Sequence, residues 1–267
     1  MDKHPALLYK TLVVGVIILF CGISVQPCIA IDNEKKSSIP TSNGYIQDLI
    51  DNASAGDSIY IPSGIYYENI FINKSISLIG EDKNTTIIDG GGEFSVVVIY
   101  YIDEVNISGF TIRNGDFGIY TQRANNITIS DNIISNNKDG VYLISSKFNT
   151  IKGNIITSNN NTGIVLFTHI YIPESSEYNI VMGNNIISNN GYGIILGKSN
   201  FNIIIENNFI NNEKDAFIIV SFLNHWKQNY WNRPRILPKL IFGLNLFFIP
   251  WFNIDWHPAK EPYDIGV

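Results

Sequence analysis

The side chains able to do chemistry in this chain of 267 residues are few and far apart. Arg113 and Asp116 lie close in sequence, with Asp103, Asp131 and Asp139 on either side of them. An arginine base beside clustered carboxylates in one groove is what an eliminating enzyme needs. The same residues also read as solvated charges in turns. His169, His225 and His257 are well separated, and Met182 is the one methionine after Met1. Isolated imidazoles and a single thioether make a poor site for a soft metal. His225 and His257 adjoin Trp226 and Trp256, where a hydrogen-bonded packing role is expected. Both cysteines, Cys21 and Cys28, fall within the first 30 residues. The remainder therefore has no thiol for a disulfide, a metal or a nucleophile. The expectation is no catalytic residue, no metal site and no cofactor.

Tyr142 raises a different chemistry. It lies between Val141 and Leu143, and if those two face a core, Tyr142 faces out. The matching positions of neighbouring repeats would be Tyr120, Val165, Ile195 and Ile218. An outward apolar row needs a cover or a ligand, and tyrosine rings suit the apolar faces of sugars. Tyr120, Tyr142, Arg113 and Asp116 are thus the candidate ligand-binding residues. The alternative is that an insertion or the carboxyl-terminal tail lies over the row.

Composition says which elements hold these residues. The chain has 49 Ile and 34 Asn against 7 Ala and 14 Leu. Ile is β-branched and packs on pleated surfaces, whereas the best helix formers are scarce. Asn suits turns. Many short strands joined by tight turns follow, which excludes a helical bundle and an alternating α/β fold. A net charge of −6 argues against a nucleic-acid partner, because nothing would neutralise the phosphates.

Four segments repeat: NITISDNIISNNKDGVYL (126–143), NTIKGNIITSNNNTGIVL (149–166), NIVMGNNIISNNGYGIIL (179–196) and NIIIENNFINNEKDAFII (202–219). The period is about 22 residues, long enough for three short strands and three turns. No unit can bury its own apolar side, but stacked units bury a continuous core. Asn132, Asn154, Asn185 and Asn208 are aligned as one column, expected to hydrogen-bond as a ladder. Gly118, Gly140, Gly163 and Gly193 are aligned as another, expected at a turn with positive φ. Ala216 replaces the glycine in the last unit and suggests that the coil ends there. An insertion over 167–178 accounts for one long step.

The ends differ from the repeats. Residues 1–10 carry Lys3, His4 and Lys10, and residues 11–25 are apolar without charge. Residues 1–30 read as a signal peptide cut after Ala30, or as a retained anchor, followed by a linker over 31–41. Membrane contact is expected only through residues 7–25, and only without cleavage. Residues 42–57 read as a capping helix, with Ile46, Leu49, Ile50 and Ala53 on one face and Ser42 or Asn43 as its cap. The coil is expected over 58–221. Residues 222–267 hold all four Trp and read as a carboxyl-terminal cap. There Trp226 and Trp231 should lie against the last coil and Trp251 or Trp256 should complete the cover; a membrane-surface patch is the competing outcome.

Residues 46–92, IQDLIDNASAGDSIYIPSGIYYENIFINKSISLIGEDKNTTIIDGGG, and the N-x-I-x-x-N units after them resemble NosD-like proteins. These belong to the carbohydrate-binding and sugar-hydrolase (CASH) repeats of the pectin-lyase-like superfamily. The resemblance covers roughly residues 42–220 and implies an all-β, right-handed parallel β-helix. It is weak for activity, since the family includes lyases, hydrolases, epimerases and non-enzymes. The Gly-His-Gly of related hydrolases would fall at Gly191–Tyr192–Gly193, which lacks the His, and the Asp-Pro-His-Asp of related epimerases does not occur. The NosD name implies copper, for which the donors are poor. The reading is a non-catalytic, exported cell-surface protein that binds a polysaccharide or another envelope polymer or serves as a scaffold. The alternatives are a polysaccharide lyase or hydrolase, and a copper-delivery accessory protein.

Overall fold

Strands of this chain alternate an apolar residue facing in with a residue facing out, so a strand of three suffices to place one isoleucine in a core. A computed structural model describes residues 44–168, 175–247 and 249–265. The signal or anchor, the linker, Ser42, Asn43, His169 and Phe248 lie outside the described residues. Strands follow one another three to a turn, in coils over residues 58–72, 77–100, 106–122, 128–144, 150–167, 180–197, 203–219 and 225–244. They stack into three parallel sheets, one per side of a β-solenoid. Pro250–Asp255 closes the end. It runs antiparallel to Lys239–Leu244 and meets the first sheet where Asp255 faces Trp226.

Like residues stack on like. Ile129 faces Ile151, Ile134 faces Ile156, and Leu143 faces Leu166 in the next coil. All six are buried, and each contributes about 1.5–3 kcal/mol by leaving water. The coil does not end at Ala216. Ala216 pairs with Ile194 in the inward row, so Asp215 takes the glycine position. An eighth coil follows, with Trp226 opposite Ile204 and Trp231 opposite Phe209. Residues 225–244 are thus coil rather than cap. Their period is hidden because indoles replace isoleucine in the same inward rows and a seven-residue loop, 232–238, precedes the last coil strand. Trp226 and Trp231 are buried, whereas Trp251 and Trp256 are exposed and complete no cover.

The corners are held by amides. At the first corner the column is Asn132, Asn154, Asn184, Asn207 and Asn229. The backbone N–H and Nδ2 of Asn154 both donate to Oδ1 of Asn184 at 3.0 Å. Its Nδ2 also donates to the carbonyls of Ile129 and Lys152. Asn137, Asn159, Asn189 and Asn212 repeat this at the second corner. Asn149, Asn179, Asn202 and Asn224 repeat it at the third.

Asn185 and Asn208 are not in the first ladder. Each is the second residue of an Asn doublet, and the corner takes the first, which directly follows a left-handed residue (Gly183 at φ 57°, Glu206 at φ 56°). One residue on, the side chain points to the other face of the strand. There Asn208 donates to Asn185 at 2.6 Å, and the two hold the carboxyl-terminal tail. Asn185 Nδ2 donates to the Ile265 carbonyl and Asn208 Nδ2 to the Tyr263 carbonyl, while the Tyr263 N–H returns a bond to Asn208 Oδ1.

The glycine column stacks, but positive φ is not its reason, since Gly118, Gly140, Gly163 and Gly193 all lie outside the left-handed region. The constraint is space. A Cβ on Gly140 would stand 2.5 Å from the Gly163 carbonyl oxygen and 2.8 Å from Ile156 Cγ2. At the amino-terminal end the helix α1 spans Tyr45–Asn52, with Ile46 and Ile50 buried. Gly44 is its N-cap and gives no side-chain bond. Glu68 of the first coil supplies the cap, accepting the N–H groups of Ile46 and Gln47.

Two outcomes follow. Asn184→Leu should destabilise by about 3 kcal/mol, because the buried N–H and Nδ2 of Asn154 in the previous coil lose their acceptor and the Ile151 and Met182 carbonyls lose a donor. Asn185→Leu should cost less than about 1 kcal/mol; denaturant midpoints of the two variants distinguish ladder from clasp. Asp139, at the second corner, is held by Asn161 Nδ2 and the Thr162 N–H. Burial pushes its carboxyl up to about 6, against those hydrogen bonds and the Lys138 charge. A raised carboxyl pKa means the fold holds the proton, so this contribution is full below about pH 4 and is lost as pH rises to about 6. Asp139→Asn should therefore gain about 2–3 kcal/mol relative to the native chain between pH 4 and pH 7, read from paired denaturation curves.

Candidate functional site

The outward face of the third sheet carries one apolar residue per coil. Register places Tyr120, Tyr142, Val165, Ile195 and Phe217 in this row. Phe217 takes the place expected of Ile218, which faces Leu196 inside the core and is fully buried. A slip of one residue exchanges the two faces of a strand. Phe242 continues the row, since Ile218 pairs with Gly243 one residue further on.

Tyr120 presents little of itself. It is 7% exposed, stacks on Tyr142 with centroids 6.2 Å apart, and donates its hydroxyl to Gln122 Oε1. Phe117 packs on both tyrosines. Arg113 is on the second sheet, not beside them. Its Nε donates to Asp89 Oδ2 at 2.8 Å, and Asn114 Nδ2 donates to the same oxygen. Burial pushes the Asp89 carboxyl up, but the bonds from Asn114, Arg113 and the Gly91 N–H and the Arg113 charge outweigh it, so it lies below the usual range. Asp116 is exposed at the corner between the second and third sheets. Its backbone bonds to neighbouring coils through Phe94 and Asp139. The four sequence candidates therefore do not form one groove. The guanidinium is tied to Asp89, and the tyrosines pack with Phe117 one sheet away.

The row ends in a cleft of about 610 Å³ between the seventh and eighth coils. Tyr192 and Phe217 line it with ring centroids 5.5 Å apart. Lys214 Nζ sits 5.1 Å over the Tyr192 ring. Lys239 Nζ lies 2.6 Å from Asp215 Oδ2 and 5.2 Å over Trp231. Arg233 and Arg235 come from the loop after Trp231, and the Arg235 Nε is buried without a hydrogen-bond partner. Aromatic faces beside fixed cations can hold a sugar ring and its polar substituents. Asp215 is committed to Lys239.

Sequence reasoning missed this cleft. Its signal was the pair Arg233 and Arg235 among aromatic residues in a stretch without period. It also missed a second ladder of rings, Phe148, Tyr178 and Phe201, stacked at 5.4 Å with planes within 9°. Their signal was an aromatic residue directly before Asn149, Asn179 and Asn202.

Among the described residues no three His, Cys, Asp or Glu side chains converge as a metal site. His225 is exposed on the first sheet and His257 is exposed after the last strand. Met182 lies between Lys152 and Ile205 on the first sheet.

Residues 50–171 and 167–241 match the family described as periplasmic copper-binding protein (NosD). A cell surface glycoprotein of Methanothermus fervidus is 33% identical over 88 residues, 32% of this chain and 14% of the glycoprotein. The periplasmic alginate epimerase AlgG superimposes with a TM-score of 0.52 at 21% identity, over 72% of this chain and 49% of that one. The catalytic unit of an α-1,3-glucanase from Streptomyces thermodiastaticus strain HF3-3 also gives 0.52, at 14% identity, over 77% and 45%. At these identities the two structures share the fold alone. The chain spans less than half of each enzyme and about one-seventh of the glycoprotein.

Proposed function

We propose, from the premise that this chain belongs to the NosD family of parallel β-helix proteins, that it is an exported cell-surface protein whose third-sheet cleft binds a carbohydrate polymer without transforming it. The carrying observation is the apolar row that runs into the cleft, where Phe217 and Phe242 are flanked by Lys214, Arg233 and Lys239. A linear polymer extends along one direction, and a row with one contact per coil repeats every ~4.8 Å along the solenoid axis. The name of one similar protein, a cell surface glycoprotein, supports a place at the cell surface, and two proteins that share the fold act on alginate and α-1,3-glucan.

The donors do not support copper as the working ligand. His225 and His257 stand apart on the surface, and Met182 has no imidazole, carboxylate or thiol among its strand neighbours. Elimination chemistry has no support from Arg113, whose guanidinium is held by Asp89 away from the row.

A glycan array probed with the full chain tests the reading. Binding to a cell-envelope polysaccharide should weaken by about tenfold in Phe217→Ala and in Phe242→Ala, the loss of roughly one aromatic contact. Arg113→Ala should bind as the native chain does. An array without a hit, or a hit indifferent to both phenylalanine changes, removes the proposal.

A further inference from the structure

The last rung of the solenoid exposes apolar side chains that polymer binding does not use. Ile236 and Leu237, in the loop entering Lys239–Leu244, are 93% and 77% exposed. Trp256, just after Pro250–Asp255, is 63% exposed at the same end of this hairpin. At the other end Leu246, Phe247 and Ile249 are exposed on the turn. An apolar surface of this extent needs an occupant.

Charge identifies the occupant. Residues 221–265 carry five cations, Lys227, Arg233, Arg235, Lys239 and Lys260, against three carboxylates, Asp255, Glu261 and Asp264. Residues 44–220 carry nine Lys and Arg against eighteen Asp and Glu. The apolar rung is thus the positive end of an otherwise acidic molecule. Asp255 does not offset it at the surface, because it is fully buried and accepts from Asn229 and Trp231. Exposed Trp, Phe and Leu on loops, interleaved with Lys and Arg, are the residues that enter a lipid interface with headgroup contacts around them. The two exposed clusters sit at opposite ends of six-residue strands, roughly 20 Å apart. That span is short of a ~30 Å bilayer core, and contact stays peripheral.

We propose that the carboxyl-terminal rung docks on an anionic lipid surface, with Ile236, Leu237, Phe247 and Trp256 entering the interface and Lys227, Arg233 and Lys260 facing the headgroups. This membrane contact is distinct from the one expected of residues 7–25. It places the solenoid end on the lipid and leaves the flank of the third sheet turned along the surface.

The tryptophans make the test specific. All four lie between residues 226 and 256, so their fluorescence reads this end even if the amino-terminal segment also binds lipid. The full chain is mixed with phosphatidylcholine vesicles carrying phosphatidylglycerol and acyl-brominated lipid. Trp emission should be quenched, and the quenching should fall with added salt. It should be lost in the double variant Trp251→Phe/Trp256→Phe, which retains the buried Trp226 and Trp231. Arg233→Glu should lower the partition about fivefold or more. The surface change Phe247→Ser should weaken quenching with the circular dichroism of the fold unchanged. Absence of quenching with phosphatidylglycerol overturns the proposal. Equal quenching in neutral vesicles, indifferent to Arg233→Glu, also overturns it. Dimers that shield Trp251 and Trp256 from acrylamide, without lipid quenching, would assign the rung to a second copy and overturn it as well.

Discussion

From the fourth coil on, three corner columns of this solenoid rest on one arrangement: the Oδ1 of an asparagine accepts both the backbone N–H and the side-chain amide of the asparagine one coil earlier. A tight corner turns the backbone through a left-handed residue and leaves an N–H pointing into the coil. Buried and unpaired, that group would cost about 1–3 kcal/mol. The amide of the next coil satisfies it and spends its own NH₂ on neighbouring carbonyls, so no polar atom is left over. The ladder also stabilises the left-handed corners, which are filled by Asn, Ser and Asp but also by Phe148, Tyr178 and Phe201. A bulky residue at positive φ is strained. It persists here because the ladder below it and the ring stack beside it fix the corner.

The ladder has a direction, and the direction dictates how it ends. Donors of each coil point to the acceptor of the following one, so the last coil presents donors with no asparagine left to receive them. An acceptor-only group resolves this. Asp255 takes the N–H and Nδ2 of Asn229 and the indole N–H of Trp231 on one oxygen, and the N–H groups of Gln228 and His257 on the other. Glu68 plays the corresponding part at the other end, receiving the free N–H groups of α1. The hairpin and the helix therefore close the solenoid through carboxylates, while their apolar faces do the packing.

Much of this was legible in the residues. The period, the inward Ile129, Val141 and Leu143, and the inward face of α1 follow from spacing alone, because a core face must alternate. Three things did not follow. The choice of Asn184 over Asn185 depends on which residue follows the left-handed position, and a doublet conceals it. The reason for Gly140 is a close approach between coils, which only coordinates reveal; positive φ would have left the same glycine. The eighth coil was hidden because Trp226 and Trp231 fill the rows that isoleucine fills elsewhere. The same misalignment of the last unit put Ile218 in the place of Phe217. It also hid the cleft, which is built from residues of coils that pair in space and not from a motif.

The ladder and the core rows leave the sequence free at few positions. Inward positions are held largely to apolar residues, three corner columns to amides, and most of the tight glycine column to residues without a side chain. Only outward rows, the insertion and the end rungs can vary without breaking a neighbour's bond. On the outward rows of the early coils that freedom is spent on ion pairs such as Arg113 with Asp89. Cations meet rings in the early coils too, as Arg123 does over Tyr101, but they line a cleft beyond residue 190, where Lys214, Arg233 and Lys239 stand among Tyr192, Phe217 and Trp231. An acidic solenoid with a basic, aromatic end is electrostatically polar along its axis, and a field of that shape orients the molecule before any contact forms. The periodic coils set distance and rigidity, and the aperiodic end concentrates the positive charge.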